Sequence, residues 1–248
     1  MLLVVADFAT LAVLVVVSSG KAENLIETFL WITKMKNPQI PLTLKLTYSA
    51  FMCVLIPFYW SAYGPTNFLY FCDIALFLTL WGMWRESATL ISAAAVGILL
   101  PQVIWVADFM ATAAGYPILG MTEYMFRDSI SLFARGLSLF HGWLPFLLIY
   151  LVYRIGHQPN GIKLWTIVAW AAMLICFYFM PAPGESVSTP NTPININYVY
   201  GFSETEKQQW LSDGLYLLMM MCVLPLLVYW PTDKALAWMA SRRVETTA

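Results

Sequence analysis

Long apolar runs separated by short polar connectors constrain this chain more than any other feature. Seven stretches are long and apolar enough to be read as membrane spans: 2–18, 42–62, 66–84, 88–107, 131–153, 163–181 and 211–231. A bilayer core about 30 Å thick needs about 20 such residues per helix. Within lipid the backbone must satisfy its own hydrogen bonds, so runs of this length imply helices. Only 11% of the 248 residues are charged, too few to coat a soluble surface of this size. The expected fold is an all-α polytopic transmembrane bundle of about seven spans. The first stretch has no basic n-region and no small-residue cleavage site followed by a soluble chain, so it does not read as a signal peptide.

The polar connectors set an orientation. With the N-terminus outside, ten cations fall on the cytoplasmic side: Lys21, Lys34, Lys36, Lys45, Arg85, Arg154, Lys163, Lys234, Arg242 and Arg243. Three fall outside: Arg127, Arg135 and Lys207. The positive-inside rule then predicts N-terminus out and C-terminus in, a multi-pass protein of the cell (inner) membrane. Residues 1–40 read as an N-terminal helix plus an amphipathic inner segment at 22–36, an extension to the core. Residues 41–232 read as a six-helix membrane core and 233–248 as a cytoplasmic tail. Two outer connections are long, 108–130 and 182–210, and the second is rich in Pro, Ser, Thr and Asn.

Composition excludes several functions. A net charge of −1 offers no basic face to nucleic acid. The four cysteines, Cys53, Cys72, Cys176 and Cys222, lack CxxC spacing, and no HExxH, phosphate loop or dinucleotide fingerprint appears. No metal and no cofactor are expected. No internal repeat is visible, which counts against an inverted-repeat transporter.

Ionisable groups inside membrane spans are expensive and therefore informative. Cys72 and Asp73 lie early in the third span, in NFLYFCDIALFLTL. Gly97, Pro101, Trp105 and Asp108 share a face of the fourth. Arg135, Ser138, His141, Gly142 and Pro145 share a face of the fifth, with His141 near mid-bilayer. Asn195, Asn197 and Tyr198 precede the last span. All belong to the outer half, as a shared outward-opening cavity would require. A purely structural alternative pairs Asp73 with Arg135 and lets His141 tie helices together. A chemical one makes Cys72 the nucleophile and His141 the base, with Asp73 or Asp108 fixing the imidazole tautomer. Asp108, Arg135, Asn195, Asn197 and Tyr198 would then line the substrate, with Asn195 or Asn197 steadying an oxyanion.

The segments YGPTNFLYFCDIALFLTLW, LLPQVIWVADF, GMTEYMF, LSLFHGWLP and NINYVYG resemble a group of bacterial polytopic membrane-associated proteins whose label carries no activity. That resemblance covers about residues 42–232. A C-D pair early in a helix, a proline in the fourth helix, a mid-membrane His and a late N-Y motif more distantly resemble a wider set of integral membrane proteins. This set includes a transmembrane acyltransferase acting on ether phospholipids and the androgen-induced lipid hydrolases, which pair a membrane threonine with a histidine. The resemblance implies Cys72 in the nucleophile position, His141 in the base position, and Asn197 and Tyr198 in the N-Y motif. The expected activity is a lipid acyl hydrolase or acyltransferase with membrane lipids as partners. A proton-linked or small-solute transporter, and a non-catalytic scaffold acting as a homo-oligomer or complex subunit, are the alternatives.

Overall fold

A computed structural model describes residues 39–187, 191–203 and 205–247. The chain divides into two units, Met1–Leu42 and Thr43–Ala248; the fold below is that of the second. The expected span at 2–18 and amphipathic segment at 22–36 lie outside the described residues.

The described chain is helical. Helix α1 covers Leu42–Tyr63, α2 Phe71–Arg85, α3 Ala88–Ala113, α4 Leu132–Ser138, α5 Phe140–Ile155, α6 Asn160–Phe179, α7 Asp213–Val223 and α8 Trp230–Thr247. The α4–α5 run is nearly continuous. A π-helical stretch, Leu224–Tyr229, joins α7 to α8. Pro225 lies within it, and a missing N–H there leaves a ladder position open, which one π turn accommodates. Five helical runs are long and apolar enough to cross a membrane: Leu42–Tyr63, Ala88–Ala113, Leu132–Ile155, Asn160–Phe179 and Asp213–Arg242.

The expected span at 66–84 is corrected. Gly64 turns the chain at φ 81°, and Pro65–Leu69 forms a short 3-10 turn. The helix proper starts at Phe71 and has 15 residues. At 1.5 Å per residue it is about 22 Å long, short of a 30 Å core. The tail boundary at 233 has no structural counterpart, because α8 runs through it to Thr247.

Helix α3 is the centre of the bundle and packs on α2, α5, α6 and α8. Its stretch Ile91–Leu99 is buried on every side. Ala93, Ala94, Ala95 and Gly97 keep that stretch thin, so neighbouring backbones approach closely. At Gly97 there is no room for a side chain, because a Cβ would fall inside the indole of Trp165. Ser87 starts α3 by accepting a hydrogen bond from the Leu90 N–H at 3.4 Å, the role of an N-cap.

Long-range polar contacts fix the helix directions. At one end Lys45 Nζ meets Glu86 Oε1 at 2.8 Å, with both side chains nearly buried. There too the Gln158 N–H donates to Ser92 Oγ at 2.9 Å. His157 Nε2 meets Asp233 Oδ1 at 2.9 Å. At the other end Tyr59 and Ser138 share a hydrogen bond of 3.2 Å. The starts of α1 and α3 therefore lie together, and α2 must run the other way between them. Arg85, Arg154, Lys163 and Lys234 sit at the Lys45 end by chain position, and Arg127, Arg135 and Lys207 at the other.

Candidate functional site

The polar cluster at the Tyr59 end is built around the first turn of α2. Asn197, from the 3-10 turn Ile196–Tyr198, accepts from the Phe71 N–H at 2.9 Å through Oδ1. Its Nδ2 donates to the Leu69 carbonyl at 2.9 Å and approaches Cys176 Sγ at 3.7 Å. One side chain thus caps α2 and ties the second long loop to it. Asn197 adopts φ 59° and Tyr198 φ 56°, left-handed values that Asn tolerates better than most residues. Asn195 is equally occupied. Its Nδ2 donates to the carbonyls of Gly201 and Ser203 at 2.7 and 2.9 Å, and its Oδ1 accepts from the Tyr200 N–H at 3.0 Å.

Cys72 and Asp73 occupy the turn that Asn197 caps. Asp73 is 2% exposed. Its Oδ2 accepts from Asn67 Nδ2 at 3.1 Å, and its Oδ1 is buried with no partner. The expected Asp73–Arg135 pair is not made. Arg135 Nε donates to the Ile130 carbonyl at 2.8 Å and Nη1 to the Met125 carbonyl at 3.3 Å. The guanidinium braces the first long loop, and Asn67 answers the carboxylate in its place.

Asp108 is a second correction. It does not orient His141. Its Oδ1 accepts from the N–H groups of Ile118, Leu119 and Gly120 at 3.1, 2.6 and 3.3 Å. Its Oδ2 accepts from the Thr122 N–H and hydroxyl at 3.0 and 2.7 Å. The carboxylate is 1% exposed and organises the loop that follows its own helix.

His141 is held by a carbonyl. Its Nδ1 lies 2.8 Å from the Ser138 carbonyl oxygen. A carbonyl only accepts, so Nδ1 carries the proton and Nε2 presents its lone pair. The imidazole stacks on Trp105 at 4.6 Å and on Phe140 at 4.1 Å. Trp105 stacks in turn on Phe109, and Phe109 on Phe126, each at 5.4 Å. Rings from α3, α5 and the first long loop form one continuous column.

Tyr124 completes the cluster. It lies in the turn Glu123–Phe126, beside Ser138 and in electrostatic reach of Cys72 and Tyr198. Burial raises its phenol above the ordinary value, so the group is a neutral donor at physiological pH. Tyr59 bonds Ser138 and lies near both Cys72 and Asp73. Cys72 and His141 make no direct hydrogen bond, yet both border the pair Tyr124–Ser138. Sequence reasoning overlooked Tyr59, Asn67 and Tyr124. Their signal was faint: a tyrosine in an apolar span or loop reads first as packing.

Among the described residues no group of three or more His, Cys, Asp or Glu could hold a metal ion. The fold and this cluster define an all-helical membrane protein with a polar site at one end of its bundle. Compared with known proteins, the chain matches no family model, no curated protein and no solved structure.

Proposed function

We propose that this protein is an intramembrane acyl-transfer enzyme, a lipid hydrolase or acyltransferase, with Cys72 as nucleophile and His141 as base. We further propose seven crossings of the cell membrane, the third made by the short α2 together with the 3-10 turn before it, with the N-terminus and the Cys72 end of the bundle facing outward. The observation that carries the reading is the polar cluster around Ser138, whose hydroxyl meets Tyr59 and whose carbonyl holds His141, with Tyr59 and Tyr124 both in electrostatic reach of Cys72. Nε2 of His141 is left free to accept a proton, because Nδ1 is committed to the Ser138 carbonyl. Proton transfer therefore accompanies attack: Nε2 takes the thiol proton as sulfur bonds to the ester carbonyl carbon. The Tyr124 hydroxyl donates to the resulting oxyanion. Collapse breaks the ester C–O bond, and the imidazolium returns the proton to the departing alcohol. Water or a second alcohol then resolves the thioester. The gap between Cys72 and His141 closes around substrate, since such hydrogen bonds tighten on binding.

The test is covalent trapping. Purified protein in lipid is given a phospholipid with a fluorescent acyl chain. We expect an adduct on the wild type that neutral hydroxylamine releases, lost in Cys72→Ala and weakened in His141→Ala, with folding of each variant checked by thermal shift. Turnover that survives His141→Ala in folded protein ends the proposal.

Asp73 supports a second reading. A buried carboxylate with one unpartnered oxygen and no cation bonded to it is a proton-carrying group in many membrane proteins. Proton flux in liposomes that is lost in Asp73→Asn, without acyl adduct, would favour transport.

A further inference from the structure

The first long loop has a surface unlike that of the second. Residues 109–122 carry no charged side chain. Tyr116 and Ile118 are 79% and 66% exposed, and Leu119 is exposed beside them. Leu132 and Phe133, where the chain re-enters the bundle, are exposed as well. The second loop presents Glu185, Thr205, Glu206 and Lys207 beside the exposed rings of Phe202 and Trp210.

A loop can enter the interfacial layer of a bilayer more cheaply when its backbone N–H groups are already bonded within the protein. Here they are, residue by residue. The N–H of Ala114 bonds the Met110 carbonyl, Gly115 that of Thr112, and Tyr116 that of Ala111, at 3.2, 3.0 and 2.9 Å. Pro117 has no N–H. Those of Ile118, Leu119 and Gly120 converge on Asp108 Oδ1. From Ala114 to Gly120 every backbone donor is therefore bonded or absent. Met110, near the end of the apolar run Ala88–Ala113 that precedes this segment, is exposed too.

We propose that the segment 114–120 inserts into the leaflet at this end of the bundle, with Tyr116, Ile118 and Leu119 in the boundary between headgroups and acyl chains, about 5–10 Å deep. Its partner is membrane lipid, not water and not another protein. Asp108 is the device that favours this, because it takes up the N–H groups of Ile118, Leu119 and Gly120 and leaves the carbonyls to the hydrated headgroup layer. The same segment leads to Tyr124, so the proposed acyl site opens sideways to lipid. That consequence rests on the acyl-transfer reading; the insertion does not.

The test needs no activity. In a background with Cys53→Ala and Cys222→Ala, single cysteines are placed by Tyr116→Cys, Ile118→Cys, Leu119→Cys and Thr205→Cys. Each is labelled with an environment-sensitive fluorophore and reconstituted in phosphatidylcholine vesicles, and the signal of the unsubstituted background is subtracted. A nitroxide high on the lipid acyl chain is expected to quench the labels at 116, 118 and 119 several-fold more than that at 205. Aqueous iodide is expected to show the reverse order. Three positions in one segment guard against a single variant that fails to fold. Equal iodide quenching at 118 and 205 would overturn the proposal. So would labels shielded from both quenchers, the pattern of a loop covered by a second copy or another protein.

Discussion

The imidazole of His141 and the indole of Trp105 stack with centroids 4.6 Å apart and planes 17° apart. Together with the Ser138 carbonyl on Nδ1, this leaves the ring little freedom. Trp105 is thus a positioning residue for the proposed base. Trp105→Leu should lower kcat by about 10²-fold with little change in KM, the scale expected when a reacting group is misplaced by about 1 Å. Trp105→Phe should recover much of it. Nitrogen-15 spectra of histidine-labelled protein give an independent check: one tautomer at His141 in the wild type and an averaged pair in Trp105→Leu.

Asp108 accepts four backbone N–H groups. Asp108→Ala should orphan most of them and destabilise the protein by at least ~3 kcal/mol, given about 1–3 kcal/mol for each unsatisfied buried group and incomplete additivity. Asp108→Asn keeps one oxygen and should lose less. Thermal unfolding in detergent, run on both variants, orders them.

Asp73→Asn should behave in the opposite way. The change replaces a buried carboxyl that only Asn67 hydrogen-bonds. A neutral amide of the same shape keeps an oxygen for Asn67 and never carries a buried charge, so the melting temperature is expected to hold or rise. A clear fall would mean that the carboxyl itself is needed for the packing of this end.

At the far end, His157 and Asp233 form a pair whose side chains are 4% and 9% exposed. Removing one partner of a buried hydrogen bond typically costs about 1–3 kcal/mol, because the other is left unsatisfied. His157→Ala and Asp233→Ala should each approach that cost. The double variant should cost less than their sum, which a double-mutant cycle measures directly.

Gly97 faces the Trp165 ring with no space for a methyl group. Gly97→Ala should therefore destabilise by about 1–3 kcal/mol through overpacking. Adding Trp165→Leu should recover part of the loss, and thermal unfolding of the pair reads the coupling.

Helix existence was legible in the one-dimensional pattern, because a bilayer demands long apolar runs and admits little else for a single chain segment. The expected stretches 42–62, 88–107, 131–153, 163–181 and 211–231 each meet a helical run in the structure. Their ends moved where a local polar group took over. Helix α3 continues past 107 to Ala113 because Asp108 bonds the loop instead of ending the helix. The stretch at 66–84 lost its first turn to Gly64 and Pro65. Residue chemistry likewise singled out Cys72, Asp73, Asp108, Arg135 and His141 as polar groups in costly places. What each of them touches depended on contacts that no spacing rule contains. Asn197 reaches Phe71 across 126 positions, Arg135 chose carbonyls over Asp73, and a backbone oxygen holds His141. Periodicity reports which side of a helix is apolar, whereas a hydrogen bond is made only after the helices have packed and brought a donor within about 3 Å of an acceptor.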